Sequence, residues 1–134
     1  MATEKFTPEI VDCVYAAAFI DADGCISLWP EPSMKSGQRC QIKVVQCKRN
    51  GNEPLLSMQR IWGGSLCLNS ADMWHLGLSG LDAAIMLMDI EQFMTIKRKK
   101  AQLALKHFWD NPKIARVLAR IYGAPIQDRT PCKL

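Results

Sequence analysis

An apolar run that ends in acid constrains this chain more than any other stretch: residues 15–24 read YAAAFIDADG. Just upstream, Thr7, Pro8 and Glu9 form a helix start, with a hydroxyl cap, a proline at the first helical position and a carboxylate in the first turn. Gly24 is the residue a helix uses to leave through a left-handed turn. The helix is therefore predicted from about Pro8 to Asp23. Its last turn carries Asp21 and Asp23, where the macrodipole is already negative and each acid costs about 0.3–1 kcal/mol. A helix built for stability alone would carry Lys or Arg there. Two acids at that end predict a site that holds a cation.

The 134 residues suffice for one core and are too few for two full domains. No segment approaches the roughly 18 apolar residues of a membrane span, and no signal peptide is visible, so the expected location is intracellular, with no membrane partner. Cys13, Cys25, Cys40, Cys47, Cys67 and Cys132 are scattered without a C-x-x-C pair, and only His75 and His107 could join them, which argues against zinc and for free thiols. The net charge is only +4, but its distribution is uneven. Between Glu31 and Glu53 there is no acid, while Lys35, Arg39, Lys43, Lys48 and Arg49 all fall in that window. Between Glu91 and Asp110 the same holds for Lys97, Arg98, Lys99, Lys100 and Lys106. Unbalanced basic stretches suit a phosphate backbone, where each contact releases counterions.

Residues 25–29 alternate as a strand with Ile26 and Leu28 on one face; residues 30–37 are turn-rich; residues 38–48 form a second strand with Ile42 and Val44 on one face and Arg39, Gln41 and Lys43 on the other. Asn52 caps a helix over 53–62, broken by Gly63 and Gly64. Two more strands, 65–69 and 73–79, flank a short turn and point Leu66, Leu68, Trp74, Leu76 and Leu78 inward. A helix opens at Ser79 or Gly80 and breaks near Glu91; a long helix follows over 97–109, and a last one from Pro112 ends before Gly123. Residues 124–134 read as a loose tail of a single domain spanning 1–134.

Residues 16–24, AAAFIDADG, resemble the signature of the LAGLIDADG homing endonucleases, which cut long DNA sites at intron or intein insertion points. Residues 92–105, an apolar run leading into a basic amphipathic helix, resemble the family's second most recognisable segment. The order of elements fits as well. The resemblance implies an α+β fold of order αββαββα, a four-stranded antiparallel saddle with its helices on one face. One copy of the motif implies a homodimer joined through the first helix, with Ala16, Ala17, Ala18 and Ala22 letting two helices approach closely. A two-fold dimer reads a pseudo-palindromic site.

The resemblance further implies metal-dependent phosphodiester hydrolysis that leaves a staggered double-strand break. Hard oxygen ligands point to Mg²⁺, with Mn²⁺ expected to substitute and Ca²⁺ to bind without supporting cleavage. Asp23 would be the direct ligand, one from each subunit, joined by the Ala22 carbonyl; Asp21 is the weaker candidate, its alternative being to hold the helix end in place. Gln46 matches the polar residue that orients the attacking water, and Lys97 the lysine that polarises that water or the phosphate. Where related sequences carry a basic residue after that glutamine, this chain has Asn50, so Arg49 is the candidate for that role. DNA would be read in the major groove by Ser27, Trp29, Glu31, Ser33, Lys35, Arg39, Gln41, Lys43, Ser65, Asn69 and His75, with Lys48, Arg98, Lys99 and Lys100 on phosphates. The alternatives on the same scaffold are a maturase that binds intron RNA and a DNA-binding protein without catalysis.

Overall fold

The computed structural model describes residues 7–30 and 38–123, so the expected turn at 30–37, the loose tail, Cys132 and the candidates Glu31, Ser33 and Lys35 lie outside the described residues. The chain runs α1 (Ile10–Asp23), β1 (Gly24–Pro30), β2 (Gln38–Cys47), α2 (Glu53–Trp62), β3 (Ser65–Leu68), β4 (Met73–Ser79), α3 (Gly80–Ile90), α4 (Arg98–Trp109) and α5 (Pro112–Tyr122). Single 3₁₀ turns follow β2 at Lys48–Asn50 and α3 at Glu91–Phe93. The four strands pair antiparallel in the order β1-β2-β4-β3, the α+β arrangement expected from the sequence.

Alternation along the strands sorts the sheet into two faces. Ile26, Cys40, Ile42, Val44, Leu76 and Leu78 are buried and meet the helices. Residues of opposite parity, such as Ser27, Gln41, Lys43 and His75, share the other face. Among the residues facing the helices, Cys40 sits deep enough for burial to push its thiol up to about 11. The helix side is organised around α3, whose buried Ala83, Ala84, Met86, Leu87, Met88 and Ile90 occupy much of its circumference, as a central helix requires. A polar anchor on α3 is Asp89, which accepts from Trp62 Nε1 at 2.8 Å and from the Tyr122 hydroxyl at 2.7 Å, tying α2 and α5 to α3.

Several local expectations give way to specific geometry. The first helix starts at Ile10 rather than Pro8, with Asp12 accepting from the Glu9 amide at 2.9 Å. Gly24 is extended (φ −98°, ψ 175°) and opens β1 instead of making a left-handed turn. It is needed for space, because a Cβ there would stand 2.8 Å from the Ile20 Cα. Gly63 and Gly64, at φ 89° and 93°, do adopt the left-handed backbone that ends α2. Asn52 stands at the cap position of α2 without a side-chain capping bond. Leu68 is 39% exposed at the sheet edge and does not join the core, while Trp62, at the end of α2, is buried.

Candidate functional site

The acidic end of α1 meets the start of α4. The Asp21 carboxylate accepts from the backbone amides of Thr95 (2.7 Å) and Lys97 (3.0 Å), just ahead of α4. In return, the Lys97 ammonium donates to the carbonyls of Ile20 (3.0 Å) and Asp21 (2.6 Å), the last acceptors of α1. Each helix end thus receives the charge its dipole favours from a residue of the other. Lys97 stands at an unfavourable place on its own helix, yet its charge is delivered to the favourable end of another. Both oxygens of Asp21 are engaged by the 95–97 turn, the bracing arrangement; nothing comparable holds Asp23.

Asp23 is exposed, and no hydrogen bond or ion pair engages its carboxylate among the described residues. Ala22 beside it is exposed too. Because Gly24 pairs with Val44, Gln46 lies two residues past the level at which Asp23 enters the sheet. Gln46 is half-buried, its Oε1 accepting from the Cys47 amide at 3.3 Å. Lys48 and Arg49 are exposed on the 3₁₀ turn that follows. Among the described residues no three His, Cys, Asp or Glu side chains come together to hold a metal. A single exposed carboxylate such as Asp23 is by itself an incomplete ligand set for a divalent cation such as Mg²⁺.

The open face of the sheet holds most of the predicted reading residues in register. Ser27 pairs with Gln41, Cys25 with Lys43, and Trp29 with Arg39, whose side chain lies outside the described residues. Lys43 meets Gly77, and Gly77 meets Ser65. A Cβ at Gly77 would stand 3.2 Å from Gln41 Nε2, so this glycine leaves room for the amide to lie across the sheet. Asn69 shapes the β3–β4 turn: its Oδ1 accepts from the amides of Ala71 (2.9 Å) and Met73 (3.0 Å), and its Nδ2 pairs with His75 Nε2. Val45, Cys47 and Met73 share this face and were missed, because apolar side chains on an alternating strand read as core.

The structure corrects one set of predicted residues. Ala16 and Ala17 are 0% exposed against the chain's own core and cannot meet a second copy. The outward stripe of α1 consists of Ile10, Val11, Val14, Tyr15, Ala18 and Ala22, of which Ile10 is 74% and Val11 66% exposed. Small residues mark close packing without saying with which neighbour. Arg98 is partly engaged: its Nε pairs at 3.1 Å with Glu91, a buried acid that also accepts from Gln102 at 2.9 Å. With two of the Lys97 donors on α1 carbonyls, the basic run also leaves Lys99 and Lys100 exposed.

The helix-lined four-stranded sheet, with an acid-tipped helix leading into its first strand, is the fold of the LAGLIDADG homing endonucleases. The homing endonuclease I-CvuI, solved with its DNA target in the presence of Ca, superposes with a TM-score of 0.62 at 22% identity, over 93% of this chain and 88% of that one. The group I intron-encoded I-CeuI, complexed with DNA, gives 0.53 at 16% identity, over 95% and 70%. The LAGLIDADG enzyme I-GzeII, in complex with a DNA target, gives 0.57 at 20% identity, over 86% of this chain and 40% of that one. By sequence, no family model and no curated protein matches the chain.

Proposed function

We propose that this protein is a sequence-specific, metal-dependent DNA endonuclease of the homing type, acting as a homodimer on a long pseudo-palindromic site. The observation that carries the proposal is Asp23, an exposed and unpartnered carboxylate at the end of a helix whose outward stripe is apolar. Pairing two such stripes about a two-fold axis removes apolar surface from water and sets two Asp23 carboxylates side by side. I-CvuI and I-GzeII, which share the fold, are described as homing endonucleases solved with DNA.

Asp23 from each copy, with the Ala22 carbonyl, would hold Mg²⁺; the ion supplies a polarised water and charge to balance the leaving oxygen. Mn²⁺ should replace it, whereas Ca²⁺ should support binding without cutting. Lys97 spends two of its three donors on α1 carbonyls and keeps one for the phosphate or its water. The NH₂ group of Gln46 orients the attacking water. Arg49, at the strand end, neutralises the phosphate. Lys43 and Gln41 suit guanine and adenine edges, and Lys48, Lys99 and Lys100 the backbone.

The test is selection of cut duplexes from a randomised library with Mg²⁺, repeated with EDTA and with Asp23→Asn. Cleavage should require the metal and fall at least about a thousandfold in the variant, while binding in Ca²⁺ persists. Specific binding by wild type that never leads to a cut overturns catalysis. Retention of structured RNA with no duplex retained would point instead to the maturase.

A further inference from the structure

The register of the open face orders its side chains by distance from Asp23. Farthest out is Trp29 with Arg39, then Ser27, Gln41 and Ser79, then Cys25, Lys43, Gly77 and Ser65. On the Asp23 side of the Gly24–Val44 pair come Val45, His75 and Cys67, and then Cys47 with Met73. Beside the Trp29 indole and the Cys25 thiol, the outer rows carry amide, hydroxyl and cationic groups. The inner two carry a valine, two thiols, a thioether and one imidazole, whose Nε2 is taken by Asn69. The Asn69 carbonyl oxygen is likewise committed to the turn. Thus, close to the carboxylates, the sheet is poor in groups that can answer the donors and acceptors of a base edge. A polar edge pressed against such a surface loses water without gaining a partner. The apolar feature on a base edge in the major groove is the C5 methyl group of a pyrimidine.

We propose that Val45, with Met73 diagonal to it and Cys67 beyond His75 on the same row, selects 5-methylpyrimidines at the base pairs nearest the cut. Thymine is the ordinary ligand, and 5-methylcytosine presents the same methyl group at the same place. Specificity therefore changes character along each half-site, from hydrogen bonding outside to methyl contact inside. This inference rests on the endonuclease function proposed above and names the residues that set part of its specificity.

The test uses the best-cut duplex from the randomised library. Each thymine is replaced in turn by uracil, which removes only the methyl group, and the dissociation constant is measured in Ca²⁺ for wild type, Val45→Ala and Cys67→Ser. Uracil at one or more inner positions should weaken wild-type binding about fourfold, the worth of one buried methyl group. That penalty should shrink in Val45→Ala, while penalties at outer positions stay unchanged. Cys67, exposed at the sheet edge, can be altered without disturbing the core, so Cys67→Ser keeps the comparison open should Val45→Ala unfold. At an inner position with C·G in place of T·A, methylating the cytosine should recover part of the lost binding. Equal binding of uracil duplexes at every inner position, or a penalty identical in wild type and variants, overturns the proposal alone. Failure to retain any duplex overturns the endonuclease function and this inference with it.

Discussion

At Gly24 the chain must leave a helix and enter a strand while passing the helix's own last turn at contact distance. A methyl group there would press on the Ile20 backbone at 2.8 Å, and backbone cannot step aside as a flexible side chain can. Gly24→Ala should therefore destabilise the fold by about 1–3 kcal/mol, read as a lower urea midpoint with an unchanged slope. The requirement for glycine was legible from the sequence, but its reason was not. Sequence position points to a left-handed exit, whereas the need arises from how tightly β1 folds back on α1. Asp23 shows the converse case. Its oddity at a helix C-terminus was plain in the sequence, and the structure leaves it as exposed as that oddity implied.

Between elements, the exchange of charge linking α1 to α4 joins residues 76 positions apart, a separation that no local pattern reports. Asp21→Ala should cost about 2–3 kcal/mol by orphaning two backbone amides, and Asp21→Asn, which can still accept one bond, should cost less. Thermal unfolding of the two variants beside wild type checks that order. Unchanged stability in both variants would remove the bracing role from Asp21. The basic run at 97–100 was legible as charge but not as function. Lys97 goes to α1 and Arg98 to Glu91, and Lys99 and Lys100 stay on the surface. The strands and the two faces of the sheet were readable because alternation has a period of two and burial enforces it, whereas the order of the strands within the sheet was not. The Asp89 and Glu91 anchors were not, since a buried acid and a solvated one look alike in sequence.

For the whole molecule, the proposed homodimer would be held by the outward stripe of α1. Val14→Asp, on a helix position that is 45% exposed, should leave the protomer folded but weaken self-association by about thirtyfold or more. Sedimentation across a micromolar dilution series checks this. A wild-type chain that stays monomeric there, yet cuts DNA, would remove the two-fold pairing from the mechanism. The exchange between Asp21 and Lys97 also sets the smallest unit that protein engineering can move. Grafting residues 16–24 alone into another scaffold would transplant two acids without the turn that restrains one of them. A working transplant has to carry residues 95–97 along, and two copies fused into one chain should be joined outside the span from α1 to α4, so that neither half loses its clasp.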